Sequence, residues 1–191
     1  MARITALDPT QTTGRTKTLL DGVAKKLGRV PNLMRTMAHA PAALDGYLAL
    51  SGALATGDLT AKQRELVALA VAEANLCDYC LAAHTAIGGM VGLGEAELLA
   101  ARGARSSDPR TQALLTLARQ LVVTRGHVRD SDLAAARAAG LGDGDVIEVT
   151  ALVALNVLTN YINHVADTTI DFPAAPKVAA EACASGACDT H

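Results

Sequence analysis

The sequence predicts an all-α fold, and three observations carry that expectation. The 191 residues are 50% hydrophobic yet include no Trp, one Phe and three Tyr, so the core must be built from Ala, Leu and Val in closely packed helices. Apolar residues recur at helical spacing in nearly every segment, with proline, glycine and capping residues where helices start and stop. No segment reads as a strand with a visible partner strand. The length suits one domain or a compact internal duplication.

Residues 14–27 form the first predicted helix, closed by Gly28. The turn Arg29-Val30-Pro31-Asn32 leads to a short helix around 33–39, and Pro41 opens a helix to about Thr56. Thr60 and Gln63 have the capping-box spacing, so a helix begins near Ala61 and continues to about Ala74. Asn75 is the expected break. The next helix starts near Cys77–Asp78 and stops around Gly88-Gly89.

A short helix covers 95–102. Asp108-Pro109 then supplies an N-cap and a first-turn proline for a helix to about Thr124. Val122, Val123 and Thr124 have strand-forming side chains but continue the helical pattern. Ser131 is expected to cap a helix ending at Gly140, and Asp143 a long last helix to about Asp167. One domain is expected over 1–171. Residues 172–191, which carry Pro173, Pro176, Cys183 and Cys188, are expected to be a flexible tail.

Two segments echo one another at a constant offset of 83 residues: RELVALAVAEANLCDYCLAAHTAI (64–87) and IEVTALVALNVLTNYINHVADTTI (147–170). Glu65 falls on Glu148, Cys77 on Asn160, Cys80 on Asn163 and Ile87 on Ile170. The echo predicts a duplicated helical hairpin unit, with copies near 60–90 and 143–170. The first copy keeps the reactive residues; the second carries amides in their place and is expected to be mainly structural. His164 is not matched to a motif residue and is expected to be a packing histidine, or to lie at a site rim or subunit interface. His39 and His127 read as loop or surface residues.

Charge and hydropathy exclude several classes. A formal net charge of −2 gives no reason to expect nucleic-acid or membrane-surface binding. The first residues, MARITALDPTQ, lack the apolar run of a signal peptide, and the longest apolar stretches contain Glu73 or Glu148. The expectation is a soluble cytoplasmic protein with no membrane span. So many apolar residues without a span also suggest that some helix faces bury against other copies, as in a homo-oligomer.

The chemistry concentrates in CDYCLAAH, Cys77 to His84. This stretch holds two of four cysteines and one of five histidines. It admits a redox dithiol, half of a metal site, or small buried side chains that happen to be neighbours. A reducing compartment disfavours a structural disulfide. Structural zinc wants four closed ligands, and the only other cysteine pair, Cys183 and Cys188, is wrongly spaced for that.

On a helix, Cys77, Cys80 and His84 lie within about 60° of one another and line one stripe. Cys77 falls at the helix N-terminus, where free N–H groups stabilise a thiolate. Asp78 opposes that by like-charge repulsion. Cys80, nearer His84, is therefore the expected attacking thiolate, and Cys77 its resolving partner. If the chain reverses at Asn75, Glu65 comes to lie beside His84, giving the carboxylate–imidazole pair that a proton relay needs. Tyr79 is expected to cover the dithiol or simply to pack.

Glu65-x11-Cys77-x2-Cys80-x3-His84 resembles the signature of the AhpD-like alkylhydroperoxidases, within the carboxymuconolactone decarboxylase superfamily. The flanking GRVPNLMRT, SGALATGDLTAKQRELVALAVAEANLCDYCLAAH and TNYINHVADTTIDFP are similar to its peroxidase-related branch, over roughly residues 14–175. The resemblance implies an all-helical fold and a trimer or hexamer. It implies reduction of hydroperoxides through a Cys77/Cys80 dithiol–disulfide cycle, with His84 and Glu65 relaying protons. It also implies an external dithiol reductant, a lipoylated or thioredoxin-like protein, and no metal, haem or flavin cofactor. Some members carry a His between the cysteines; this chain has Asp78 and Tyr79. A general dithiol–disulfide oxidoreductase and a redox-sensing oligomer are the alternatives, and Cys183 and Cys188 are either incidental or an electron shuttle to the dithiol.

Overall fold

The structure, a computed structural model, describes residues 2–176; Cys183, Cys188 and most of the expected tail lie outside them. The described residues contain α-helices and a single 3-10 turn at Pro9–Gln11, with no strand. The helices are α1 (Gly14–Leu27), α2 (Asn32–Met37), α3 (Pro41–Leu54), α4 (Ala61–Ala74), α5 (Asp78–Met90), α6 (Glu95–Arg102), α7 (Pro109–Val123), α8 (Asp130–Ala138) and α9 (Asp143–Ala166).

Local chemistry sets most boundaries where the sequence puts them. Gly28 closes α1 in the left-handed conformation, with φ +72°. Thr60 and Gln63 form the reciprocal capping box of α4, a cap worth about 1 kcal/mol. Asp108 accepts from the Thr111 amide at 2.8 Å to cap α7. Two starts differ from expectation. Arg129, not Ser131, is the N-cap of α8, and Gly142, not Asp143, is that of α9. In both, the carboxylate three residues on, Asp132 or Asp145, reaches back to the cap N–H at 3.1 or 2.7 Å. A carboxylate can therefore satisfy the orphan donor from inside the helix as well as from the cap position.

Helix α4 is the axis of the bundle. Its residues Leu66 to Ala72 are all buried, and α5, α6, α7 and α9 pack around it. Only small and branched aliphatic side chains allow four neighbours to approach one helix so closely, which is the structural use of the Ala-rich composition. Leu69, Leu114, Leu115, Leu117, Val71 and Val149 fill the space between them.

The expected hairpin break is real. Asn75 ends α4, and Leu76 takes a left-handed φ of +54° while exposing its side chain to solvent. The Cys77 amide returns to the Ala72 carbonyl at 2.9 Å, and α5 folds back on α4. The second sequence copy does not repeat this break. Residues 143–166 form one continuous helix that runs straight through Thr159, the position matched to Leu76. The left-handed break at Leu76 therefore has no counterpart in the second copy.

By length and composition α9 could cross a membrane. Here its Val149, Leu152, Val153 and Leu155 lie in the core, and it packs on α4 and α7. Its buried face also carries Asn156, Thr159, Asn160 and Asn163, spaced i, i+3, i+4 and i+7. The chain's beginning is tied to the end of α9, where Arg3 and Ile4 donate to the Ala166 carbonyl at 2.7 and 3.1 Å.

Candidate active site

The break at Asn75–Leu76 places Cys77 as the N-cap of α5 and Cys80 in its first turn. Both are reduced, and each is only 2% exposed. One turn further along α5, His84 Nδ1 donates to Glu65 Oε2 of α4 at 2.8 Å. The antiparallel hairpin thus brings together residues nineteen apart that a continuous helix would hold far from each other. Both side chains are largely covered, at 21% and 17% exposure.

With Nδ1 committed to Glu65, Nε2 is the ring atom left for other chemistry. Burial works against the imidazolium, but the Glu65 carboxylate outweighs it through its charge and hydrogen bond, and holds His84 above the ordinary histidine range. Among the described residues no direct hydrogen bond joins His84 to either sulfur, so any proton passing between them needs a carrier.

The two sulfurs are not equivalent. The neighbouring Cys80 sulfur and burial together raise the Cys77 pKa. The neighbouring Cys77 thiol first, and then the Asn163 amide, outweigh burial and lower that of Cys80. The sequence reading chose Cys80 for its distance from Asp78 and nearness to His84. In the structure Asp78 is exposed, while α9 brings the Asn163 amide against Cys80.

The second copy, expected to be mainly structural, also places side chains beside the dithiol. Asn163 Nδ2 lies 3.2 Å from Cys80 Sγ and 4.0 Å from Cys77 Sγ. Asn160 is completely buried, and its Oδ1 accepts from Asn75 Nδ2 at 2.8 Å. His164 Nε2 donates to the Asn75 carbonyl at 2.9 Å, so this histidine braces the hairpin break. The signal for the asparagines was available in the 83-residue echo, which pairs Cys77 with Asn160 and Cys80 with Asn163. It was also available in their spacing along one face of an otherwise apolar helix.

Tyr79 is buried between the cysteines, but its hydroxyl points away to a polar anchor. It donates to Asp171 Oδ1 at 2.7 Å and accepts from the Leu33 amide at 3.1 Å. Burial is the main reason its pKa is pushed up. Asp171 Oδ2 also accepts from Arg29 and from the Asn32 amide, each at 3.0 Å, and Phe172 packs edge-on against the Tyr79 ring. The dithiol helix is thus tied to α2 and to the segment after α9. On another face, Tyr47 of α3 senses the charges of Cys80 and Glu65; burial first, then those charges, push its hydroxyl up to about 12. His39 and His127 are exposed, as the sequence suggested. Among the described residues, no group of three or more His, Cys, Asp or Glu side chains is placed to hold a metal. A cleft of about 590 Å³ lined by Thr60, Gln63, Leu66, Ala100, Arg105 and Thr111 contains none of the four motif residues.

This helical frame recurs in known proteins. Residues 41–121 match the family model described as the carboxymuconolactone decarboxylase family, a span that contains Glu65, Cys77, Cys80 and His84 but not Asn160 or Asn163. An alkylhydroperoxidase AhpD core, a peroxidase-related protein from Ralstonia eutropha JMP134, superposes with a TM-score of 0.79 at 26% identity, covering 89% of this chain and 92% of that one. A peroxidase-related protein from Silicibacter sp. TM1040 gives 0.73 at 24% identity, covering 87% and 91%. The debrominase Bmp8, in a variant bound to 2,3,4-tribromopyrrole, gives 0.75 at 19% identity, covering 88% and 91%. No curated protein matches the chain in sequence. Over residues 41–121 the chain is similar to the carboxymuconolactone decarboxylase family, and its helical fold is that of AhpD-like proteins. The named activities of these similar proteins differ, so the shared fold does not by itself fix the reaction.

Proposed function

We propose that the protein is a thiol-dependent peroxidase of the alkylhydroperoxidase type, in which Cys80 attacks, Cys77 resolves, and His84 and Glu65 relay protons. The observation that carries this reading is the meeting, across one helical hairpin, of a reduced dithiol and a Glu65–His84 pair held at 2.8 Å.

The Cys80 thiolate attacks the outer oxygen of a hydroperoxide. The O–O bond breaks, the alcohol leaves with a proton, and Cys80 becomes a sulfenic acid. The Cys77 thiol then attacks the Cys80 sulfur, forming the S–S bond and releasing water. An external dithiol returns two electrons by thiol–disulfide exchange. His84, with Nδ1 fixed by Glu65, delivers protons from Nε2 to the leaving oxygens through an intervening water.

Burial of both sulfurs at 2% exposure favours a small peroxide over a protein disulfide as the oxidant. For the same reason it favours a slender dithiol, such as the lipoyl arm of a lipoylated protein, over a bulky thioredoxin-like face as reductant. The exposed apolar residues of α9, Ile147, Leu158, Tyr161 and Val165, are compatible with assembly into a trimer or hexamer.

The test is steady-state consumption of an organic hydroperoxide with a dithiol reductant, comparing wild type with Cys80→Ser and Cys77→Ser. Both variants should lose turnover by at least about 100-fold, and only Cys77→Ser should accumulate a sulfenic acid trapped by dimedone. Wild-type turnover no greater than that of the variants would reject the peroxidase reading.

A further inference from the structure

We propose that Asn163 and Asn160 of α9 form an amide cradle that holds negative charge on Cys80, and so decide which sulfur of the dithiol is the nucleophile. This deepens the dithiol reading and rests on it only in taking Cys80 as the attacking sulfur.

The geometry is specific to one sulfur. Asn163 Nδ2 is 3.2 Å from Cys80 Sγ, a hydrogen-bond distance for sulfur, but 4.0 Å from Cys77 Sγ. Asn163 is buried, and Asn160, one turn earlier on the same face, is fully buried. Helix α9 therefore presents two side-chain amides where the rest of the bundle presents hydrocarbon.

An unsatisfied donor points the same way. Asn160 Oδ1 accepts from Asn75 Nδ2. Among the described residues the buried Asn160 Nδ2 donor has no conventional hydrogen-bond partner. Folded proteins satisfy nearly all buried polar groups, and leucine at either position would avoid the penalty. A thiolate makes sense of the arrangement, because a charged sulfur accepts from several donors at once whereas a neutral thiol is a poor acceptor. The direction of the Cys80 pKa agrees: the Cys77 thiol lowers it most, burial opposes, and Asn163, Asn160 and Thr159 lower it further.

Other ionisable groups surround the dithiol. Cys77 caps α5, and His84, the exposed Asp78 and the buried Tyr79 share that helix with Cys80; Glu65 approaches from α4, Tyr47 from α3 and His164 from α9. Substituting Asn163 by a neutral residue leaves all of their charges in place.

The test is the pH dependence of iodoacetamide alkylation at Cys80, located by peptide mass. It needs no peroxide, so it stands apart from the turnover assay. Wild-type Cys80 should titrate below an ordinary thiol. In Asn163→Leu, alkylation near pH 6 should fall about tenfold while the alkaline plateau is unchanged, as one pKa unit upward requires. Loss of packing or altered access would move the plateau as well. Asn163→Ser, whose hydroxyl is too short to span to the sulfur, should shift the profile the same way and is the easier variant to fold. An ordinary or raised wild-type midpoint would overturn the cradle even if neither variant folds. So would an unchanged midpoint in the variants. A lowered midpoint would also overturn it, because the amide oxygen would then be accepting from a protonated thiol. A shifted profile in a protein that does not consume peroxide would leave the cradle standing and remove the peroxidase reading.

Discussion

His84 Nδ1 and Glu65 Oε2 meet at 2.8 Å across the α4–α5 hairpin, with both side chains mostly shielded from water. The pair fixes one ring nitrogen and frees the other. It also makes the histidine's charge a property of the fold rather than of the residue.

Replacing Glu65 should expose that dependence. The folded-state pKa of His84 is raised, so the pair adds stability in full below the unfolded histidine pKa and loses it as pH rises through the folded value. Glu65→Gln should lower the His84 pKa, read by NMR titration of its ring protons. It should destabilise the protein by about 1–2 kcal/mol near pH 6, where a charge-assisted hydrogen bond is lost, and by less in the alkaline range. Denaturant titration at both pH values measures the difference. If Glu65 orients a proton relay, peroxide turnover should fall about 10- to 100-fold.

Reagent size should discriminate sharply at the dithiol. Both sulfurs are buried, so a bulky disulfide reagent reaches them only through local opening of α5, whereas a small hydroperoxide does not need such opening. In a Cys183→Ser/Cys188→Ser background, which leaves only Cys77 and Cys80, Ellman's reagent should react with the folded protein at least about 100-fold more slowly than with the urea-unfolded chain. A small alkyl hydroperoxide should oxidise Cys80 of the folded protein readily. Equal reactivity of folded and unfolded protein toward Ellman's reagent would mean that the sulfurs are accessible without opening.

Tyr79→Phe keeps the ring contact with Phe172 but removes the hydroxyl shared by Asp171 and the Leu33 amide. One buried N–H and one carboxylate oxygen then lose a partner. The expected cost is about 1–3 kcal/mol in urea unfolding. Because Tyr79 sits between the two cysteines, the first turn of α5 should also loosen, raising reactivity toward Ellman's reagent. An unchanged unfolding midpoint would show that this anchor does not hold the dithiol helix.

Much of this molecule was written in one dimension. The Ala-rich, aromatic-poor composition called for close helices, and α4 indeed takes α5, α6, α7 and α9 as neighbours. Thr60, Asp108, Gly28 and Asn75 marked their helix ends because capping and left-handed turns depend on residues a few positions apart. For the same reason Cys77, Cys80 and His84 could be read as one stripe, and Glu65 could be brought to His84 once the chain was broken at Asn75. The starts of α8 and α9 were displaced because Asp132 and Asp145 act from inside their helices, an arrangement equally local but not distinguishable from a carboxylate or serine cap by residue type alone.

The sequence by itself determined the helices, their breaks and the four residues of the motif, since each follows from spacing within one or two turns of chain. Only the tertiary structure decided what stands against the sulfurs. Asn163 lies 83 residues from Cys80, and Tyr79 meets Asp171 from 92 residues away. The 83-residue echo identified the asparagines as counterparts of the cysteines but not as their neighbours. The direction of a buried amide or hydroxyl is set by the packing of whole helices, and the inequality of the two thiols follows from that packing.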